Sequence, residues 1–282
     1  MIKKVVIPAA GMGTRLLSIT KEIPKEMLPL YMSNSNDTIF LKPMVQIVFE
    51  QLFNSGFREF CFIVGRGKRA IEDHFSPDRI YLTQLDSKGR TQLSEDLGEF
   101  YNKIESSTIM WINQPEAKGF GHAVLQAKSF TNSEPFMVHA GDTYITSNGE
   151  KHLKQILESH EAAATLCLLP VDDTRHYGVA EITGSTPPYP VIKVEEKPEN
   201  PKTNLALMPV YAFTEKIYEA LKETRPGKAG EIQLTDGIQK LIEWNEKVLA
   251  YKLENALHFD IGTPESYWNA QKLSYQHLAK KS

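Results

Sequence analysis

The chain has 282 residues, a formal charge of −3, 41% hydrophobic and 24% charged residues. That length can bury the core of one elaborated domain, and the balance excludes a disordered chain and a broadly cationic surface for nucleic acid or anionic membrane. No apolar run approaches membrane-spanning length and the opening residues form no leader, so the expectation is a cytoplasmic protein.

Residues 3–10, KKVVIPAA, are a short β-branched run closed by Gly11 and predict a buried strand. KPMVQIVFEQLFNSG (42–56) places Val45, Val48, Phe49 and Leu52 on one helical face, with Pro43 suited to the first turn and Gly56 as a stop. FREFCFIVG (57–65) reads as a second strand, KRAIEDHF as a short helix, and TIMWINQ (108–114) as a third strand after the charged amphipathic stretch 91–107. Then follow helix 121–130, strand 135–142, helix 151–160 and strand 163–171. The two cysteines, Cys61 and Cys167, lie inside apolar runs without metal-ligand spacing and read as buried small hydrophobes.

Strands alternating with helices imply a mostly parallel sheet covered on both faces. Ligands on such sheets sit at the strands' carboxyl ends, which singles out the loops after residues 10, 114 and 141. Beyond 172 the texture changes to strand-like YGVAEIT, YPVIKVEEKP and LALMPVYAFT with proline-rich joins, then helical GEIQLTDGIQKLIEW and a final amphipathic helix from Pro264. On that last helix Tyr267, Trp268, Leu273 and Tyr275 are candidates for core or interface, with core preferred for each.

The first loop carries the clearest chemistry. A strand running into Gly11-Met12-Gly13 can bring backbone N–H groups close to a ligand, and Arg15, Lys21 and Lys25 gather cations on a segment restrained by Pro24 and Pro29. A polyanion explains the gathering. The Rossmann fingerprint needs a third glycine where Leu16 stands, and the Walker pattern needs Gly-Lys-Ser/Thr where Thr14-Arg15 follow the second glycine. Gly-x-Gly alone leaves a plain turn with a solvated cationic face as an equal alternative.

The longer pattern is more specific. Gly-x-Gly-Thr-Arg at 11–15, Thr-Lys at 20–21 and Pro-Lys-Glu-Met-Leu-Pro at 24–29 resemble the signature of the sugar-nucleotide pyrophosphorylases, and IPKEMLPL is most similar to their bacterial-type uridylyltransferases. GRGKRAIEDHF (65–75), KGFGHAV (118–124), YGVAEI (177–182), VEEKP (194–198), NLAL (204–207) and GEIQLTD (230–236) follow in the family's order, so the resemblance spans nearly the whole chain. It implies a nucleotide-diphospho-sugar transferase fold: a Rossmann-like three-layer α/β/α domain around a mostly parallel mixed sheet. Within one domain, 1–171 would serve mainly the nucleotide and 172–282 mainly the sugar. It also implies UTP and glucose 1-phosphate as substrates, UDP-glucose and pyrophosphate as products, Mg²⁺ as cofactor and a homodimer or homotetramer.

The same resemblance implies roles for individual residues. Arg15 and Lys25 would hold the triphosphate, with Ala9, Ala10, Gly11, Gly13 and Thr14 around the nucleotide. Gln114 and Gly119 would read uracil; alone they are a strand-to-helix loop whose amide suits a pyrimidine edge, and nearby His122 reads as a packing or capping residue. Asp142 and Asp260 would bind Mg²⁺, although an aspartate after a strand is often only a cap. Gly178 and Glu196 would meet the sugar and Lys197 its phosphate. On a regular strand Glu196 and Lys197 face opposite ways, so the pair needs a local bend, which Pro198 favours.

Departures from the family pattern are Ser18 in place of proline, an extension at 32–40 expected to form a polar hairpin or lid edge, and Pro209 and Val210 in place of a glycine and an arginine beside the sugar pocket. DIGTPESYWNA is closer to the thymidylyl- and guanylyltransferase branches. Transfer from dTTP or to another hexose 1-phosphate is therefore the nearest rival. A non-catalytic sugar-nucleotide sensor would be expected to lose Arg15, Lys25, Asp142 or Asp260, all of which are present. A nicotinamide dehydrogenase lacks its third glycine.

Overall fold

The apolar run near the start of the chain becomes β1 (Lys4–Pro8), buried along its whole length. It belongs to a computed structural model that describes residues 2–34, 36–147, 150–158, 161–227 and 230–279. The remaining strands are β2 (Pro29–Ser33), β3 (Ile39–Pro43), β4 (Glu59–Val64), β5 (Thr108–Asn113), β6 (Phe136–His139), β7 (Thr143–Thr146), β8 (Ala164–Pro170), β9 (Gly178–Ile182), β10 (Tyr189–Glu196), β11 (Leu205–Phe213), β12 (Val248–Lys252) and β13 (Leu257–Asp260). The helices are α1 (Met44–Asn54), α2 (Arg69–His74), α3 (Arg79–Ser87), α4 (Thr91–Glu105), α5 (Phe120–Gln126), α6 (Lys128–Thr131), α7 (Lys151–Glu158), α8 (Lys216–Glu223), α9 (Leu234–Glu243) and α10 (Pro264–Ala279). Residues 159–160 of the expected fourth helix, and the chain from 280 onward, lie outside the described residues.

Successive side chains of a strand point to opposite faces, and β1 and β4 are apolar on both. Val5, Ile7, Phe60 and Phe62 pack with Val45, Val48 and Phe49 of α1 and Phe100 of α4. Val6, Cys61 and Ile63 pack instead with Val124 of α5, Ile217 and Leu221 of α8 and Ile238 of α9. Helices therefore cover both faces, giving the expected three layers. Both cysteines are buried and free, and burial pushes the Cys61 thiol up to about 12, which leaves it inert.

The nine-stranded sheet runs β5-β4-β1-β6-β11-β8-β12-β10-β9 and is more mixed than expected. Pairings are parallel along β5-β4-β1-β6 and between β8 and β12, but antiparallel at β6-β11, β11-β8, β12-β10 and β10-β9. The cause lies in the connections. Residues 183–188 between β9 and β10 are too few for the crossover that parallel neighbours require, so β10 reverses against β9; β11 also runs against the sheet, while β9 and β12 keep the direction of β8.

β11 joins the two halves. Its carboxyl end pairs with β6 and its amino end reaches β9 at Ala206, while its register against β8 shifts between Met208 and Tyr211. Pro209 sits in that bulge, a position where a strand tolerates proline. Pro43 closes β3 and precedes α1 instead of opening its first turn. The 32–40 extension is the tip of the β2-β3 hairpin, which packs against α10 through Tyr267 Oη donating to Pro29 O at 3.2 Å. Of the four residues singled out on α10, Tyr267 and Leu273 pack on the core, but Trp268 is 64% and Tyr275 50% exposed.

Candidate active site

The carboxyl ends of β5, β4, β1 and β6 lie along one edge of the sheet, and the chain leaving β1, β5 and β6 makes one more hydrogen bond to a neighbouring strand. Ala9 N donates to Ile63 O at 2.8 Å, Gln114 N to Val64 O at 2.7 Å, and Gly141 N to Pro8 O at 3.1 Å. All three loops expected from the sequence therefore converge. They border a cavity of about 350 Å³ lined by Gly11, Gly13, Arg15, Lys25, Gln114 and Gly119, among others. A second of about 230 Å³ adjoins it, with Tyr177, Gly178, Glu196, Thr235, His258 and Asp260 in its wall. Asp142 and Lys197 line both.

The glycine loop is shaped by its own contacts. Gly13 has φ 66° and closes against Thr20, whose Oγ1 donates to Gly13 O at 2.7 Å. Thr14 and the exposed Arg15 then lie in a single 3-10 turn at the cavity mouth. Ala10 lines the cavity, whereas Ala9 is packed in the core beneath it. A side chain at Gly262 would meet both Arg15 Nη2 at 3.1 Å and Asp260 Oδ2 at 3.2 Å, so that turn brings Arg15 and Asp260 to one point.

Lys25 starts another 3-10 turn, and its ammonium donates to Asp142 Oδ2. Burial works against the ammonium, but the carboxylates of Asp142, Glu26 and Asp260 outweigh it and hold the pKa above the ordinary lysine value. For Asp142, burial likewise favours the neutral acid, yet Lys25 wins and keeps the carboxyl below its usual range. Asp260 is opposite Thr143 in the β7-β13 ladder, which places the carboxylates of Asp142 and Asp260 at neighbouring positions. Among the described residues no group of three or more His, Cys, Asp or Glu could hold a metal. The two carboxylates are hard oxygen donors, fewer than a cation such as Mg²⁺ takes, so water or ligand oxygens would have to supply the rest.

Gln114 is buried at the end of β5, with Nε2 donating to Gly119 O at 3.2 Å and pairing with His122 Nδ1 at 2.8 Å. His122 thus orients the amide that the sequence singled out. Gly119 has φ 103°, and a Cβ there would lie 2.7 Å from Ile232 O. Gly119→Ala is expected to lower stability by about 1–3 kcal/mol through backbone strain alone, read as a shifted denaturant midpoint, and to weaken nucleotide binding as the 231–233 segment is displaced. Unchanged stability would mean that residue 119 is not held in the left-handed half of the backbone map.

In the second cavity Glu196 accepts from Thr235 Oγ1 at 2.7 Å and pairs with Lys197 Nζ at 2.9 Å. Lys197 has φ 43°. That left-handed residue is the bend required to bring two adjacent side chains to one place. Gly178 pairs with Glu196 across β9-β10, and a Cβ on it would come within 2.9 Å of Leu207. His258 beside Asp260 has its pKa lowered, by burial above all, against the opposing pull of Asp260 and Asp142.

The sequence left Glu26, Tyr177, Thr235 and His258 without roles. Glu26, Tyr177 and Thr235 lie inside the motifs at 24–29, 177–182 and 230–236, but only the packing of α9 against β10 and of the Lys25 turn against α2 reveals the partners of Thr235 and Glu26. Ser35 of the 32–40 extension lies outside the described residues, and the others line neither cavity.

The profile of nucleotidyl transferases matches residues 4–277. A UTP–glucose-1-phosphate uridylyltransferase of Bacillus subtilis is 37% identical over 270 residues, covering 93% of this chain and 87% of that protein. One of Pseudomonas aeruginosa is 35% identical over 291 residues, covering 99% and 98%. Among solved structures, a UDP-glucose pyrophosphorylase complexed with UDP-glucose superposes with a TM-score of 0.84 at 31% identity, covering 98% of this chain and all of that one. A UTP-bound enzyme from Acinetobacter baumannii superposes with a TM-score of 0.82 at 27% identity, covering 99% of each.

Proposed function

We propose, from the premise that this chain belongs to the nucleotidyl transferase family and is an enzyme, that it forms UDP-glucose and pyrophosphate from UTP and glucose 1-phosphate. Its relatives at 35–37% identity carry that name. The observation that carries the reading is the pair of adjoining cavities, one walled by a glycine loop and cations, the other by Glu196 and Thr235, with Asp142 and Lys197 common to both.

An oxygen of the sugar phosphate attacks the α-phosphorus in line. The new O–P bond forms as the bond to the β-phosphate oxygen breaks, and pyrophosphate leaves. A phosphate dianion needs no general base, so the protein's task is alignment and charge neutralisation. In this reading the backbone of Ala10, Gly11, Gly13 and Thr14, with Arg15 and Lys25, holds the triphosphate; Ala9 supports the loop from below. Gln114 and Gly119 take the uracil, Gly178 and Glu196 the glucose ring, and Lys197 the sugar phosphate at the junction.

Asp142 and Asp260 would hold Mg²⁺, which neutralises phosphate charge when bound. Two hard oxygen donors at neighbouring ladder positions fit that ion. The division into a nucleotide part (1–171) and a sugar part (172–282) belongs to the same reading, qualified by Gly262, which lines the first cavity from the second part. So does a cytoplasmic location; among the described residues no helix is long and apolar enough to cross a membrane.

The test is pyrophosphate release from UTP, dTTP and the purine triphosphates against a panel of hexose 1-phosphates, with Mg²⁺ present and withheld. UTP with glucose 1-phosphate is expected to give the highest kcat/KM, and chelation to stop turnover. A preference for dTTP would overturn the base assignment. Pro209, in the wall of the second cavity and without a backbone donor, makes the hexose arm of the panel the more searching one.

A further inference from the structure

Glu26 is 1% exposed in the wall of the first cavity, directly after Lys25 in the chain. An ionised carboxylate so far from water requires a partner, and the nearest candidate in sequence is the ammonium that the reaction needs elsewhere. The fold supplies another. Lys68, 6% exposed at the start of α2, places Nζ 2.7 Å from Glu26 Oε2. The result is two neighbouring ion pairs, a partly buried one between Lys25 and Asp142 and a buried one between Lys68 and Glu26.

We infer that Lys68 is a positioning residue: by occupying Glu26 it leaves the Lys25 ammonium at Asp142, and free to turn to the triphosphate when substrate binds. Lys68 lines neither cavity and its hydrogen bond goes to Glu26, with a weaker pull on Asp142, so its main route to Lys25 is Glu26. Burial pushes the Glu26 pKa up and Lys68 and Lys25 oppose it, so without Lys68 the Glu26 carboxylate stays ionised only by drawing Lys25 toward α2 and away from the phosphates. With both charges removed, nothing competes for Lys25. The inference rests on the proposed role of Lys25 at the triphosphate.

The test is a double-mutant cycle of K68M and E26Q, with K68R as the conservative control. K68M is expected to lower kcat about thirtyfold, less than the hundredfold or more of deleting a charge-stabilising donor itself. KM for glucose 1-phosphate should stay within about threefold, since no contact to the sugar changes. K68R is expected to retain most activity, and the double variant should return to within about threefold of whatever E26Q alone retains. Trace acetylation of Lys25 without substrate, read by peptide mass spectrometry, should fall in K68M and recover in the double variant.

If the two losses simply multiply, or if K68M keeps wild-type kcat and Lys25 reactivity, Lys68 only anchors α2 and the inference is overturned. Should K68M fail to fold, the double variant and K68R still decide, since neither leaves Glu26 charged and alone. A wild-type enzyme that prefers another substrate pair would overturn the proposed function, while the same four proteins measured with that pair, and their acetylation, would still judge Lys68.

Discussion

Asp142→Asn is expected to lower the rate of pyrophosphate release at saturating substrate by about a hundred- to a thousandfold, the range for losing a pre-organised electrostatic contact. It is also expected to raise the Mg²⁺ concentration for half-maximal rate at least about tenfold, on the scale of disturbing a metal's ligand environment. Two physical effects combine. Asparagine retains the shape and a neutral oxygen but removes the negative charge that a hard divalent ion requires. It also removes the carboxylate on which the Lys25 ammonium rests, so both the proposed cation site and the cation beside it are disturbed.

Asp260→Asn provides the comparison. Asp260 shares the proposed metal role, but Asp142 would still hold Lys25, so the Mg²⁺ requirement should rise with a smaller loss of kcat. A D142N enzyme with an unchanged metal titration would remove Asp142 from that role. A stability measurement separates the second effect. Because Lys25 depresses the Asp142 pKa, the pair's contribution is fully present above the unfolded value near about 4 and is lost as pH falls through the lower folded value. Wild type should therefore lose more stability than D142N on acidification below about pH 4, read from denaturant melts without metal.

Much of the site was legible because it is local. An apolar β-branched run that ends in two glycines, followed within a dozen residues by Arg15, Lys21 and Lys25, encodes strand, turn and charge in one continuous segment. The bend at Lys197 was legible for the same reason, since adjacent residues that must meet one ligand cannot lie on a regular strand. Glu26 and Lys68 were not. They stand 42 positions apart, and neither periodicity nor spacing brings the Lys25 turn onto α2. Strand direction was similarly hidden. Apolar runs show that β9, β10 and β11 are strands, but hydrophobic patterning carries no sign of direction and does not reveal that β10 and β11 run against the rest of the sheet. The four-residue β7 and β13 are too short to establish an alternation, although their ladder sets Asp260 opposite Thr143, the residue after Asp142. Trp268 was misjudged because an amphipathic helix is read from its average face, and one large exposed ring does not alter that average.

Lys25→Ala is expected to cut kcat by about a hundredfold, with the effect concentrated in the chemical step. The ammonium sits where the glycine loop and the Asp142 turn meet: a Cβ built on Gly11 would lie 3.7 Å from Lys25 Nζ, and the same atom donates to Asp142. A cation that has turned from Asp142 to the triphosphate on binding is in place before negative charge moves onto the departing pyrophosphate. Alanine also leaves Asp142 facing Glu26 with only Lys68 between them in charge, so the Asp142 pKa should rise toward or above its ordinary value and metal binding should become more sensitive to acid. Restoring a charge by Lys25→Arg should recover little, because the larger planar guanidinium cannot take the place of a compact ammonium beside Asp142. Single-turnover measurement with saturating UTP isolates the step. Wild-type single-turnover rates in K25A would mean that Arg15 alone neutralises the leaving group, and would move the catalytic cation from the floor of the cavity to its mouth.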